Sequence, residues 1–225
     1  MGITYVLMHS PSVGPATWAP VAARLPGSIV PSLAHVGEAG PPFWPAVAEG
    51  VGAAIGGLPA DERVVLVAHS NAGLFVPVVV EASPRTVEAC VFVDAAVPGR
   101  PGPTAVVSPG VLDSLRAMAG ADGRLPPWTT WWDGSDVAPM FPDAETRRSV
   151  EAEQPRLPLA YYEQRVPAPP GWDDRPCGYV LFADPYATIA AECGWPVEHL
   201  PGLHLHQLVA PDAVAEAIRK LSHSG

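Results

Sequence analysis

The sequence predicts an α/β fold: a mostly parallel, six-stranded sheet with helices on both faces and a small helical lid. Three observations predict it. Apolar, β-branched runs alternate with amphipathic segments through residues 1–98 and 177–225, the order that helical crossovers between parallel strands produce. One such run, Val64-Val65-Leu66-Val67, leads straight into Ala68-His69-Ser70-Asn71-Ala72-Gly73. The alternation then breaks between residues 99 and 176, where Pro126-Pro127-Trp128 and Trp131-Trp132 stand among short helix-like pieces. A structureless loop of that length is implausible inside a compact domain, so this stretch reads as a helical lid inserted into the core.

The elements follow in order. Ile3–Met8 is a buried strand. Residues 15–25 read as a helix, with Trp18, Val21, Ala22 and Leu25 at i, i+3, i+4, i+7 spacing. Residues 28–33 form a short second strand. Residues 43–55 form an amphipathic helix that Gly56-Gly57 ends. The strand at 64–67 precedes a helix at 72–82, and strands follow at 89–93, 178–182 and 197–200. Helix 211–221 closes the chain. Val214, Ala217, Ile218 and Leu221 line one face of it, with Asp212 in its first turn and Lys220 in its last, as the helix dipole favours. Within the lid, helix-like pieces lie near 111–119, 143–154 and 157–164.

Composition narrows the function. The 225 residues are 48% hydrophobic, enough for one large core. Three cysteines, Cys90, Cys177 and Cys193, stand at no metal-ligand spacing, and Cys90 falls inside a strand pattern; no metal is expected. A net charge of −10 without a basic cluster excludes nucleic acid and anionic membrane as partners. No window reaches the roughly 18–20 uninterrupted apolar residues of a membrane span. Met1-Gly2 passes directly into the first strand with no signal peptide, so the expected location is cytoplasmic. The expected partner is a small-molecule substrate.

Chemistry concentrates at strand ends, where open α/β sheets bind ligands. A serine between small residues, on a strand-to-helix turn, has its hydroxyl held above the sheet edge. An ordinary helix-capping serine is the bland alternative. A nucleophilic serine needs a base and an acid that orients the base. His9 and Ser10 follow the first strand, Asp94 the strand at 89–93, Asp184 the strand at 178–182, and His204 and His206 the last. Ser70, Asp184 and His204 occur in the chain order of one known class of triad. Asp94 is the rival acid.

On these residues the chain resembles the α/β-hydrolase superfamily, and is similar to its compact branch of plant methylesterases and hydroxynitrile lyases. The resemblance rests on His9-Ser10 followed by Trp18, the elbow at Ser70, Val91-Phe92-Val93-Asp94 with Pro98, Asp184, and His204-Leu205-His206-Gln207-Leu208. It implies six strands, Ser70 as nucleophile, His204 as base, Asp184 as acid and no cofactor. The chain also departs from that branch. Pro11 stands where the branch uses a backbone N–H as one of two oxyanion donors, and proline has none. Asn71 N–H supplies the other donor, and Ser12 N–H or the Ser10 hydroxyl is left to replace the lost one. Ser10 stands where hydroxynitrile lyases carry a substrate-binding threonine, whereas Leu205 replaces the lysine that follows their histidine. Only 20 residues separate Asp184 from His204, fewer than the resemblance implies.

Three functions fit. The first is a cofactor-free serine hydrolase acting on a small or medium apolar ester, thioester or lactone. The second is a lyase, acid-eliminating enzyme or cyclase of a secondary-metabolite pathway, in which Ser70 and His204 shuttle a proton without acylation. The third is a catalytically dead small-molecule-binding protein on the same fold. An acyl intermediate on Ser70 separates the first from the second. Binding without turnover, indifferent to Ser70→Ala, marks the third.

Overall fold

The computed structural model describes residues 2–99, 102–183 and 186–223. Its main sheet contains β1 (Ile3–Met8), β2 (Arg63–His69), β3 (Val87–Val93), β6 (Cys177–Leu181) and β7 (Val197–His199), all parallel and adjacent in that order. Between β3 and β6, β4 (Thr104–Ala105) and β5 (Arg165–Val166) form a separate antiparallel pair. Among the described residues this sheet has five strands where six were expected. The strand expected at 28–33 survives as one parallel bridge, Val6 to Ile29, on the free side of β1. Ile29 N–H donates to Tyr5 O and Leu7 N–H to Ile29 O, both at 2.9 Å. Pro31 ends the ladder there, because it has no N–H to extend it.

The period-two pattern of the strands sorts side chains into two cores. Val6, Met8, Leu66, Ala68, Cys90 and Phe92 face one side. Helix Trp44–Gly56 covers it with Val47, Val51 and Ile55, and helix Val76–Ala82 with Val78 and Val79. Tyr5, Leu7, Val65, Val67, Val91 and Val93 face the other side, under Trp18, Val21 and Leu25 and under Val214, Ile218 and Leu221 of helix Pro211–Ser222. Helices therefore cover both faces, as the alternation required. The helix expected over 15–25 is only a 3₁₀ turn, Pro15–Thr17, and a four-residue helix, Ala19–Ala22; Trp18, Val21 and Leu25 of its apolar stripe are nevertheless buried. No helix among the described residues is long and apolar enough to cross a membrane.

The segment between β3 and β6 carries short helices, the longest being Pro109–Met118 and Ala144–Glu153. The Asp143 side chain caps the latter by accepting Thr146 N–H at 2.7 Å. Gln164 ties this segment to helix Trp44–Gly56. Its side-chain oxygen accepts the N–H groups of Phe43 and Trp44 at 2.9 and 3.1 Å, satisfying orphan donors at the start of helix Trp44–Gly56. The Pro- and Trp-rich sequence serves two purposes. Trp172 is buried against Phe92 and Trp195 in the core, whereas Trp128, Trp131 and Trp132 line a cavity.

Sheet order also fixes where a ligand can bind. After β1 the chain passes to Ile29 on one side of it, then to β2 on the other. The crevice at such a reversal opens beyond the strands' carboxyl ends, here beside Ser10 and Ser70.

Candidate active site

Ser70 follows β2 directly and has φ 59°, left-handed for a residue with a Cβ. Such strain persists only where the surroundings enforce it, and here they do. Ala68 and Ala72, the small flanking residues, are fully buried. The tightest approach is at Gly73, where a Cβ would collide with the Ala96 carbonyl oxygen. Ala96 N–H in turn holds Ser70 O at 3.0 Å. Ser70–Phe75 winds as a 3₁₀ helix before helix Val76–Ala82 begins. The Asn71 backbone N–H is therefore in a first helical turn, where such groups have no intrahelical acceptor. The Asn71 side chain is occupied elsewhere: Nδ2 donates to Val106 O at 3.1 Å, and Oδ1 accepts Tyr161 O–H at 2.8 Å.

His204 and Asp94 complete a continuous chain of hydrogen bonds. His204 Nε2 lies 2.9 Å from Ser70 Oγ, and His204 Nδ1 lies 2.6 Å from Asp94 Oδ2. The carboxylate against His204 is thus Asp94, the rival acid of the sequence reading. Asp184, the expected acid, lies outside the described residues. Asp94 stands at the end of β3 with φ 43° and is 2% exposed. Its Oδ1 accepts the N–H groups of Phe182 and Ala183, at 3.1 and 3.4 Å, from the end of β6. Those donors aim the carboxylate at His204.

His69, which the sequence analysis gave no role, packs against His204. Its Nε2–H donates to the His204 carbonyl at 2.8 Å, and its ring lies 4.7 Å from the His204 ring. Burial, with the neighbouring His204 adding to it, pushes the His69 imidazole well below its ordinary value, so it is neutral. Its position immediately before Ser70 was the available signal. His9, by contrast, braces the first loop. Its Nδ1–H donates to Ser10 O at 2.8 Å, and its Nε2 accepts Leu33 N–H at 3.1 Å. Burial lowers its pKa to about 4.

Pro11 belongs to a tight turn in which Val13 N–H donates to Ser10 O at 3.0 Å. Proline is favoured at that second turn position, and it carries no N–H at the place where the resemblance put an oxyanion donor. Of the two substitutes, Ser12 N–H points to Ser10 Oγ at 3.3 Å, and Ser12 Oγ pairs with Tyr162 O–H at 2.7 Å. Ser10, Ser12, Ser70, Asn71, Asp94 and His204 share a cavity of about 470 Å³. Val107, Val111, Trp128, Trp131, Trp132 and Met140 supply its apolar wall, and no lysine or arginine is among its described lining residues.

No family model matches the chain, and no curated protein matches it by sequence. Solved structures do match. An extracellular α/β-hydrolase from a Paenibacillus species, which shares structural and functional homology with tobacco salicylic acid binding protein 2, superposes with a TM-score of 0.72 at 16% identity. The match covers 99% of this chain and 100% of that one. A variant of tomato methylketone synthase I in complex with β-ketoheptanoate matches with a TM-score of 0.71 at 17% identity, over 99% and 98% of the two chains. Polyneuridine aldehyde esterase matches with a TM-score of 0.67 at 16% identity, over 99% and 100%. Sheet order, elbow and these full-length superpositions together establish that the chain has the α/β-hydrolase fold.

Proposed function

We propose that the protein is a cofactor-free serine hydrolase of neutral, apolar esters, thioesters or lactones. The uninterrupted hydrogen-bond chain Ser70–His204–Asp94 at the cavity wall carries this reading. With Nδ1–H donated to Asp94, His204 presents a bare Nε2 to the Ser70 hydroxyl. On attack the Ser70 proton moves to Nε2 while Oγ bonds the carbonyl carbon and the carbonyl π pair moves to oxygen. Asp94 stabilises the imidazolium that forms. His204 then returns the proton to the leaving group, and water, deprotonated by the same histidine, releases the acid.

Two donors serve the oxyanion in this proposal. One is Asn71 N–H. The other is the Ser10 hydroxyl, which accepts Ser12 N–H and keeps its own proton for the cavity. An uncharged apolar wall favours a neutral substrate, since a carboxylate there would lack a counter-charge. The lid role of residues 99–176 belongs to this proposal: their side chains supply most of that wall.

Pro11 supports a second reading, a lyase, acid-eliminating enzyme or cyclase in which Ser70 relays a proton and is never acylated. One experiment separates the two. Intact mass is measured after exposure to a fluorophosphonate, with Ser70→Ala as control. One adduct per chain, lost in the variant, is the expected result, followed by turnover of p-nitrophenyl esters. A folded protein that takes no label overturns the hydrolase reading in favour of the proton relay. Tight ligand binding unaffected by Ser70→Ala, with no turnover, identifies a binding protein instead.

A further inference from the structure

We infer that Tyr161 and Tyr162, adjacent residues of helix Leu159–Glu163, are positioning residues that hold the two oxyanion donors at a fixed separation. The inference rests on the hydrolase reading above, in which those donors are Asn71 N–H and the Ser10 hydroxyl. The donors stand on different loops. Ser10 comes after β1 and Asn71 after β2, which are neighbouring parallel strands. Successive residues of a helix point about 100° apart, so two adjacent tyrosines can reach both loops at once. Tyr161 O–H donates to Asn71 Oδ1 at 2.8 Å. The Tyr162 hydroxyl and Ser12 Oγ are hydrogen-bonded at 2.7 Å. Ser12 in turn holds the Ser10 hydroxyl, because its N–H donates to Ser10 Oγ at 3.3 Å.

Both tethers are built into a rigid surround. The Asn71 amide is tied at both ends, since Nδ2 also donates to Val106 O at 3.1 Å. That fixes the residue whose backbone carries the donor. Tyr161 is fully buried, and its ring meets those of Phe43 and Phe75, with centroids 5.9 and 6.3 Å away. Phe75 belongs to the same 3₁₀ turn as Asn71. Tyr162 is buried, edge-on to Tyr161 at 4.8 Å and to Trp131 at 5.6 Å. Gln164 anchors the end of the helix. Its Nε2 donates to Tyr161 O at 3.0 Å while Oε1 accepts from Phe43 and Trp44. Burial pushes both phenols up, so both keep their protons at neutral pH. Donors stabilise an oxyanion without reorganisation only when they are aimed in advance at the place it will occupy. With Pro11 in the first loop, one of the two is a rotatable hydroxyl instead of a backbone N–H. The tyrosines supply the stiffness that such a pair lacks.

Tyr161→Phe and Tyr162→Phe each delete one tether and keep the ring. A neutral hydrogen bond is worth roughly 2- to 13-fold. In each variant, kcat for p-nitrophenyl butyrate and the fluorophosphonate labelling rate at Ser70 should fall within that range, while KM stays near wild type. Ser12→Ala cuts the Tyr162 tether from its other end and should match Tyr162→Phe. A Ser10→Ala background separates positioning from packing. With the Ser10 hydroxyl gone, Tyr162→Phe should cost nothing further, whereas Tyr161→Phe should keep its full effect. A Phe variant with wild-type kcat and labelling rate overturns the role of its tyrosine, as does a raised KM with unchanged kcat, which marks a cavity wall only. Equal losses from Tyr162→Phe with and without the Ser10 hydroxyl also overturn its role. Wild-type protein that takes no label overturns the hydrolase reading itself and this inference with it.

Discussion

Asp94→Asn is the sharpest perturbation of the site, because it changes one atom of a fully engaged group. The carboxylate is 2% exposed and accepts three N–H donors, from His204, Phe182 and Ala183. An asparagine carbonyl can take the place of Oδ1 and keep the donors from Phe182 and Ala183. Its amide NH₂ then faces His204 Nδ1 at the 2.6 Å contact. The imidazole must turn that nitrogen into an acceptor, which moves its proton to Nε2. A protonated Nε2 cannot take the Ser70 proton, although every residue is still in place. In the serine protease triad that tautomer change costs about 10⁴ in kcat, or roughly 5.4 kcal/mol. We predict a loss of that order here, with KM near wild type and thermal stability little altered. The assay is kcat for p-nitrophenyl butyrate, with the fluorophosphonate labelling rate as an independent readout of Ser70. Asp184→Asn is the companion and should turn over at close to the wild-type rate. Near-full activity of Asp94→Asn together with collapse of Asp184→Asn would refute the assignment of the acid.

Other outcomes follow from the same contacts. Gly73→Ala drives a Cβ into Ala96 O and brings it 3.1 Å from Ala95 Cβ and Phe92 Cδ1; overpacking of this kind typically costs about 1–3 kcal/mol. Because Ala96 also holds Ser70 O, the melting temperature and kcat should fall together. His69→Phe keeps the ring but strips the His204 carbonyl of its donor, so kcat should drop about tenfold with a smaller change in KM, a loss comparable to one hydrogen bond. Ser10→Ala should lower kcat by about 10²–10³ if its hydroxyl serves the oxyanion, and an unchanged kcat would remove it from that role. Stability should also depend on pH. His9 is neutral in the folded protein down to about pH 4, whereas the unfolded chain protonates near its ordinary value of 6.5. The unfolded state therefore binds more protons in that window, and stability is lost as pH falls from about 6.5 to 4, by up to about 3 kcal/mol. His69 is displaced in the same direction and adds to the loss. Urea unfolding at pH 7.5, 6, 5 and 4.5 measures this, and a flat midpoint would contradict the burial of both rings.

The sequence by itself determined the parts of this protein that are written in short-range pattern. Strand alternation placed β1 to the residue, and it placed β2, β3, β6 and β7 within a few positions. The small residues around Ser70 announced the turn, because close packing at an elbow is a local steric demand. Loss of an N–H at Pro11 was legible for the same reason. The strand expected at 28–33 was overread, since apolar content there could not show that only Ile29 would find a partner. Which acid serves His204 was not legible. Asp94 and Asp184 follow β3 and β6, neighbouring strands of one parallel sheet, and chain order cannot rank two carboxylates at adjacent strand ends. Only the folded sheet sets Asp94 beneath His204 and turns the N–H groups of Phe182 and Ala183 onto it. His69 belongs with Asp94: it touches His204, more than 15 positions away, and a contact of that reach exists only once the sheet and its helices have packed.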